Sequence, residues 1–192
     1  AVADLLRNEA NTLTLARDND SGALYYTAHL RYHVDALAVA PADRGIVVDR
    51  VFRMEDEAGT VSTVSSATVG DVISVTVTVI APTNLHQVRV DVPIPAGAQI
   101  LDPNLNTTPQ YDANGNLIDV VRWDAWDPTW KDFRNEKVSL FQTFLPAGTW
   151  VYTFQMRATL PGEFRVLPAY AEMMYFTEIW GRSAGSLFTV IE

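Results

Sequence analysis

Cysteine is absent from the 192 residues. That one gap excludes a disulfide framework, a thiolate metal centre and a cysteine nucleophile. Basic residues are scarce: 14 Lys and Arg against 23 Asp and Glu leave a formal charge of −9, the wrong sign for a nucleic-acid binder. No run reaches the roughly 18 consecutive apolar residues that a membrane-spanning helix needs. The opening Ala-Val-Ala-Asp-Leu-Leu-Arg also lacks the basic-then-apolar layout of a signal peptide. A soluble module without direct membrane insertion is expected. Its compartment stays open on this count, because a targeting segment can be removed or lie upstream. Helical periodicity is nearly missing too, with residues 4–9 and 127–133 as candidates for short helical turns.

What the chain does have is alternation. In Leu24 to Val34 every even position is apolar or aromatic, the period of a half-buried strand. The pattern returns in Ile73, Val75, Val77 and Val79, in Val88, Val90 and Val92, and in Trp150, Tyr152, Phe154, Met156 and Ala158, before Leu187 to Ile191. Turn residues separate these runs: Asn114-Gly115, Pro146-Ala147-Gly148 and Pro161-Gly162, with Pro93 and Pro95 ending a strand. Eight or nine short strands result. Short two-faced strands must bury their apolar faces against a second layer, so an all-β fold, a mostly antiparallel β-sandwich of immunoglobulin-like architecture, is predicted. The small-residue stretch Asp35 to Gly45 reads as a linker. Residues 1–45 are accordingly assigned to a neighbouring structural unit and residues 46–192 to a complete sandwich.

The candidates for chemistry are thin. His29 and His33 share a strand face, but four residues at about 3.3 Å each hold them roughly 13 Å apart, too far for one ion, and His86 lies elsewhere. Asp112 to Asn116 has neither the oxygen spacing nor the closing glutamate of an EF-hand. Asp124, Asp127, Asp132 and Glu136 read better as a solvated loop than as a catalytic carboxylate pair. With no Gly-x-Ser-x-Gly elbow and no glycine-rich phosphate loop, the chain is not expected to be an enzyme, and no metal or cofactor is expected. Trp123, Trp126 and Trp130 stand within eight residues. They suit plugging of a core end first, a protein interface second, and stacking on sugar rings third.

The last sixty residues carry an ordered set of motifs: Asp132-Phe133-Arg134-Asn135-Glu136-Lys137, Leu145-Pro146-Ala147-Gly148-Thr149-Trp150, Leu160-Pro161-Gly162-Glu163-Phe164, Pro168-Ala169-Tyr170-Ala171-Glu172-Met173-Met174-Tyr175 and Gly181-Arg182-Ser183. Together they resemble the C-terminal end of a bacterial alpha-2-macroglobulin family protein. Upstream, Gly22 to Tyr32 resembles the closing strand of the CUB domain in that family, and Arg44 to Val48 the entry to its last macroglobulin-like domain.

The resemblance implies a framework module of a broad-spectrum protease trap. In such a trap bait cleavage rearranges a large inhibitor and a thioester captures the protease. The family's thioester joins a cysteine to a glutamine, so this chain holds neither thioester nor bait. Its partners would be the thioester domain and other macroglobulin domains of the same parent, and target proteases through that parent. The parent would be exported: periplasmic, cell-surface or secreted.

The resemblance places a thioester-shielding Met-Tyr pair on Met174 and Tyr175. A flexible thioether beside a phenol makes an adaptable apolar cover against water and amines. The competing reading is that Met173 to Phe176 fill the core, although strand alternation cannot bury all four. Pro168 and Gly181 bracket a presumed loop, and Glu172 and Arg182 are expected to support it through a salt bridge. The alternative to the trap module is a carbohydrate-binding or adhesive sandwich using Trp123, Trp126 and Trp130. The receptor-binding lysine helix of vertebrate relatives is not carried over, since Lys131 and Lys137 are the only lysines.

Overall fold

The computed structural model describes residues 33–56, 59–102 and 127–192, with a few isolated positions before them. The chain divides into two compact units, Ala1–His33 and Val34–Glu192. The second unit is almost entirely strand. In chain order it contains β1 (Ala42–Arg44), β2 (Val47–Glu55), β3 (Val61–Thr63), β4 (Ser66–Thr68), β5 (Val72–Ala81), β6 (Leu85–Pro93) and β7 (Ala98–Leu101). After the undescribed stretch come β8 (Trp130–Phe133), β9 (Lys137–Leu145), β10 (Gly148–Ala158), β11 (Gly162–Val166), β12 (Tyr170–Met173), β13 (Phe176–Arg182) and β14 (Ser186–Ile191).

The long alternating runs become the central strands. Ile73, Val75, Val77 and Val79 of β5 are fully buried, and the intervening Ser74, Thr76 and Thr78 are only half-buried. β-branched residues suit this pleated, two-faced setting because their restricted rotamers pack against cross-strand neighbours. β5 pairs antiparallel with β10, which brings Tyr152, Phe154 and Met156 into the same interior. These strands sit in a five-stranded sheet ordered β3-β2-β5-β10-β7. Facing it is a six-stranded sheet ordered β1-β13-β12-β6-β9-β8, which contributes Val88, Val90 and Val92 from β6 and Val138 and Leu140 from β9. Each such side chain stabilises the fold by roughly 1.5–3 kcal/mol relative to exposure. A three-stranded sheet, β11-β14-β4, closes one side, and its Phe188 meets Phe52 edge-on with ring centroids 5.1 Å apart.

The sandwich prediction holds, with more strands than the eight or nine expected. The extra ones are short: β1, β3, β4, β7, β8 and β12 have three or four residues each, too few for an alternation to register. Residues 130–133, a candidate helical turn, form strand β8 against β9, because that pairing satisfies backbone groups an isolated turn would leave open. Asp4 to Glu9, Asn114-Gly115 and most of Leu24 to Val34 lie outside the described residues.

The stretch read as a linker is part of the second unit. Asp35 caps a 3-10 turn at Ala36–Ala38, the Gly185 amide donates to the Val39 carbonyl at 3.3 Å, and β1 pairs with β13. Gly181 makes that pairing possible. A Cβ there would stand 1.9 Å from the carbonyl oxygen of Ile46, so any side chain would force β13 away from the entry to β2.

A charged side chain reaches toward the interior, which among the described residues also holds the buried Ser139 and Ser183. Arg50 shares its strand face with Val48 and Phe52. Its Nη1 donates to the carbonyls of Pro93 (2.7 Å) and Leu167 (2.8 Å), and its Nη2 to Ser186 Oγ (3.2 Å). The guanidinium lies 5.1 Å from the Phe52 ring centroid. Burial lowers its pKa to about 10, partly offset by Asp49, so it stays charged at neutral pH. It therefore staples β2 to the end of β6, to the β11–β12 connection and to β14.

Candidate functional site

β12 and β13 form a hairpin whose tip is Met174-Tyr175. Along β12 the alternation is strict. Ala171 opposes Val90 of β6 and is fully buried, while Tyr170 and Glu172 lie on the opposite, outer face. At the tip, Met173 packs against the core, Met174 is half-buried, Tyr175 is 83% exposed and Phe176 is 55% exposed. The four do not share one fate, and the reading in which they all fill the core is overturned for Tyr175 and Phe176. The bracketing residues Pro168 and Gly181 enclose a strand pair, not a loop.

The turn itself is unusual chemistry for a two-residue hairpin. Such turns normally need positive φ, hence Asn or Gly, to match strand twist. Met174 and Tyr175 both keep negative φ. The mismatch is absorbed in β13: the register runs Glu172–Trp180 and then jumps to Met173–Phe176, so Thr177, Glu178 and Ile179 bulge.

Beside the tip lies Gln87 in β6, at φ 51 the single non-glycine residue with positive φ among the described residues. A glutamine held in the left-handed region costs about 1–2 kcal/mol. The effect on the strand is visible in burial. Leu85 and Val88 are both buried although they are three apart, and His86 between them is exposed. The ladder to β9 continues from His86–Phe144 to Val88–Gln142 without Gln87. On its other side the Gln87 carbonyl accepts the Met174 amide at 2.9 Å, one rung past the Met173–Val88 pair of β12 and β6. The neighbouring His86 and Phe144 rings, 5.0 Å apart, extend the exposed aromatic rim next to the tip.

Below the tip the outer face of the six-stranded sheet is polar and interlocked. Arg89 Nη2 meets Glu172 Oε1 at 2.8 Å, and the Tyr170 hydroxyl donates to Glu172 Oε2 at 3.1 Å. Ser139 and Lys137 both donate to Asp91, at 2.7 and 2.9 Å. Burial, then the Glu172 charge and hydrogen bond, raise the pKa of Tyr170, with Arg89 opposing. The ion-pair partner of Glu172 is Arg89 of β6. Among the described residues no ion pair joins Glu172 to Arg182. The pair fails because the register sets Arg182 opposite Tyr170 and Trp180 opposite Glu172. Arg182 instead donates from Nε to the Ala40 carbonyl at 3.1 Å, and its guanidinium lies 5.7 Å from the Trp180 ring centroid.

Of the tryptophan trio, Trp123 and Trp126 lie outside the described residues. Trp130 stands on edge strand β8, 66% exposed, so it does not plug the core. The described residues contain no group of three or more His, Asp or Glu placed to hold a metal. Sequence reasoning missed Gln87 and Arg89. Gln87 carries no Gly, Asn or Asp signature of a left-handed backbone. Arg89 becomes visible only through the pairing of β6 with β12.

The tip thus presents an exposed phenol and a half-buried thioether on a hairpin tied to its neighbour by a backbone bond and a partly buried ion pair. Several solved structures share this fold. Salmonella alpha-2-macroglobulin reacted with methylamine matches with a TM-score of 0.62 at 22% identity, over 81% of this chain and 10% of that one. Escherichia coli alpha-2-macroglobulin activated by porcine elastase matches with a TM-score of 0.67 at 20% identity, over 81% and 14%. Native E. coli alpha-2-macroglobulin spanning domain MG7 to the C-terminus matches at 0.63 and 18%, over 81% and 25%. The chain therefore spans a tenth to a quarter of the length of these relatives. No curated protein matches it. The sequence pattern of the bacterial alpha-2-macroglobulin MG10 domain matches residues 45–178, well over half of the chain, and through that domain the chain belongs to the bacterial alpha-2-macroglobulin family.

Proposed function

We propose that this chain is a non-catalytic module of a bacterial alpha-2-macroglobulin-like protease inhibitor, and that its Met174-Tyr175 tip covers the thioester in another domain of the parent. Residues 1–45 are the tail of a CUB-like domain with its linker, and residues 46–192 are the macroglobulin-like sandwich. Before bait cleavage the tip lies against the thioester carbonyl and keeps out water and amines. Rearrangement of the parent then withdraws it, a rigid-body release of the kind that interfaces between packed domains permit. The parent is exported to the periplasm or cell surface, where proteases arrive from outside.

The observation that carries this reading is the exposure of Tyr175, 83%, at the end of a hairpin anchored at its base. With Phe176 next to it, also exposed, Tyr175 offers an apolar patch of the kind through which proteins meet a partner surface. The test uses the parent polypeptide with Tyr175→Ala, treated with methylamine, and follows release of the thioester thiol. Release at least about tenfold faster is expected, which corresponds to about 1.4 kcal/mol of lost protection. Unchanged release kinetics would remove Tyr175 from the role.

A further inference from the structure

We propose that Gln87 is the positioning residue of the hairpin tip, and that its left-handed backbone sets the angle at which Met174 and Tyr175 leave the sheet. Three observations converge on this residue. Its φ of 51 is unmatched among the described non-glycine residues. Its carbonyl takes the amide of Met174 at 2.9 Å, fixing the first residue of the turn from the neighbouring strand and not from within the hairpin. The face of β6 also flips across it, since Leu85 and Val88 are both buried.

These facts have a common geometric reading. A two-residue turn with negative φ at both positions does not hold the hairpin twist by itself, so an outside restraint must. The Met174–Gln87 bond continues the β12–β6 register one rung past Met173–Val88, at the place where Gln87 drops out of the ladder to β9. With its left-handed backbone Gln87 is missing from the β9 ladder and holds the rung to Met174. Strain of this sort persists only where the surroundings enforce it, and it gathers at sites whose geometry matters. The functional half of this inference rests on the shielding reading above, whereas the geometric half stands on this chain alone.

Backbone-selective substitutions test it. Gln87→Gly accepts the left-handed region freely, while Gln87→Val resists it strongly. Amide hydrogen exchange of Met174, measured in the 192-residue chain, is the readout, with amides of β5 and β10 as internal reference. Gln87→Gly is expected to leave Met174 protection within about threefold, and Gln87→Val to reduce it by about tenfold or more with the reference amides unchanged. If the valine variant does not fold, Gln87→Ala takes its place with a smaller loss in the same direction. An unprotected Met174 amide in the unsubstituted chain, or equal protection in the glycine and valine variants, overturns the proposal. In the parent, faster thiol release in Gln87→Val would extend the positioning role to shielding. Raised exchange at Met174 with unchanged thiol release would instead overturn the shielding reading and leave the positioning role standing.

Discussion

The β5–β10 pair and the β12–β13 hairpin are both antiparallel, yet they are built to opposite ends. β5 and β10 stay in register from Gly148–Ala81 to Arg157–Val72, with a face of Val, Tyr, Phe and Met sealed from water. The hairpin keeps register only from Tyr170–Arg182 to Glu172–Trp180, bulges, and leaves Tyr175 and Phe176 in solvent. The first arrangement converts apolar side chains into stability. The second withholds apolar side chains from the core and so keeps them available to another surface.

Phe154→Ala should test that division most severely. Phe154 is 1% exposed, and its truncation is expected to remove about 3–5 kcal/mol of unfolding free energy, read from denaturant midpoints. A loss below about 1 kcal/mol would mean that β5 and β10 are not the stabilising centre. Next comes Arg50→Ala, which strips three oxygen acceptors of their donor across the sheets; a loss of about 2–3 kcal/mol is expected in the same assay.

High pH sharpens the contrast more gently. Tyr152 has its pKa pushed far up, by burial first and by Asp127 and Asp102 second, and Tyr170 is also raised, by burial and Glu172. Both are acids whose folded values exceed the unfolded one. Their contribution is therefore complete below about pH 10 and is lost as pH climbs toward the folded values. Stability should fall from about pH 10 upward, less steeply in Tyr152→Phe than in Tyr170→Phe, as followed by thermal melts across an alkaline series. The smallest effect belongs to Tyr175→Ala, within about 0.5 kcal/mol of the parent chain, because little of that ring touches its own fold. A larger change would mean that the tip helps hold the sandwich together.

The centre of the fold was legible because period-two alternation over eight to ten residues leaves few other solutions. β5, β6 and β10 follow the faces read from the sequence, and β14 falls on the run read as the closing strand. Short strands escaped notice, since three residues such as Ala42–Arg44 have no measurable period and owe their pairing to Gly181 opposite. Arg50 was hidden by its own charge: it occupies a core-facing position between Val48 and Phe52 where a pattern reader sees an interruption. Met174 and Tyr175 were singled out by resemblance, whereas the support of the tip needs the register of β6 with β12. Glu172 finds Arg89, distant in sequence, through that register, and the expected partner Arg182 lies on a different row.

The Met174–Gln87 bond gives the tip a direction as well as an anchor. Ladder bonds run across strands, so a tug on Tyr175 along the hairpin axis strains those on both sides of β12 at once, whereas a sideways pull on β13 opens them singly. The hairpin therefore resists a pull along its axis better than one applied sideways at β13.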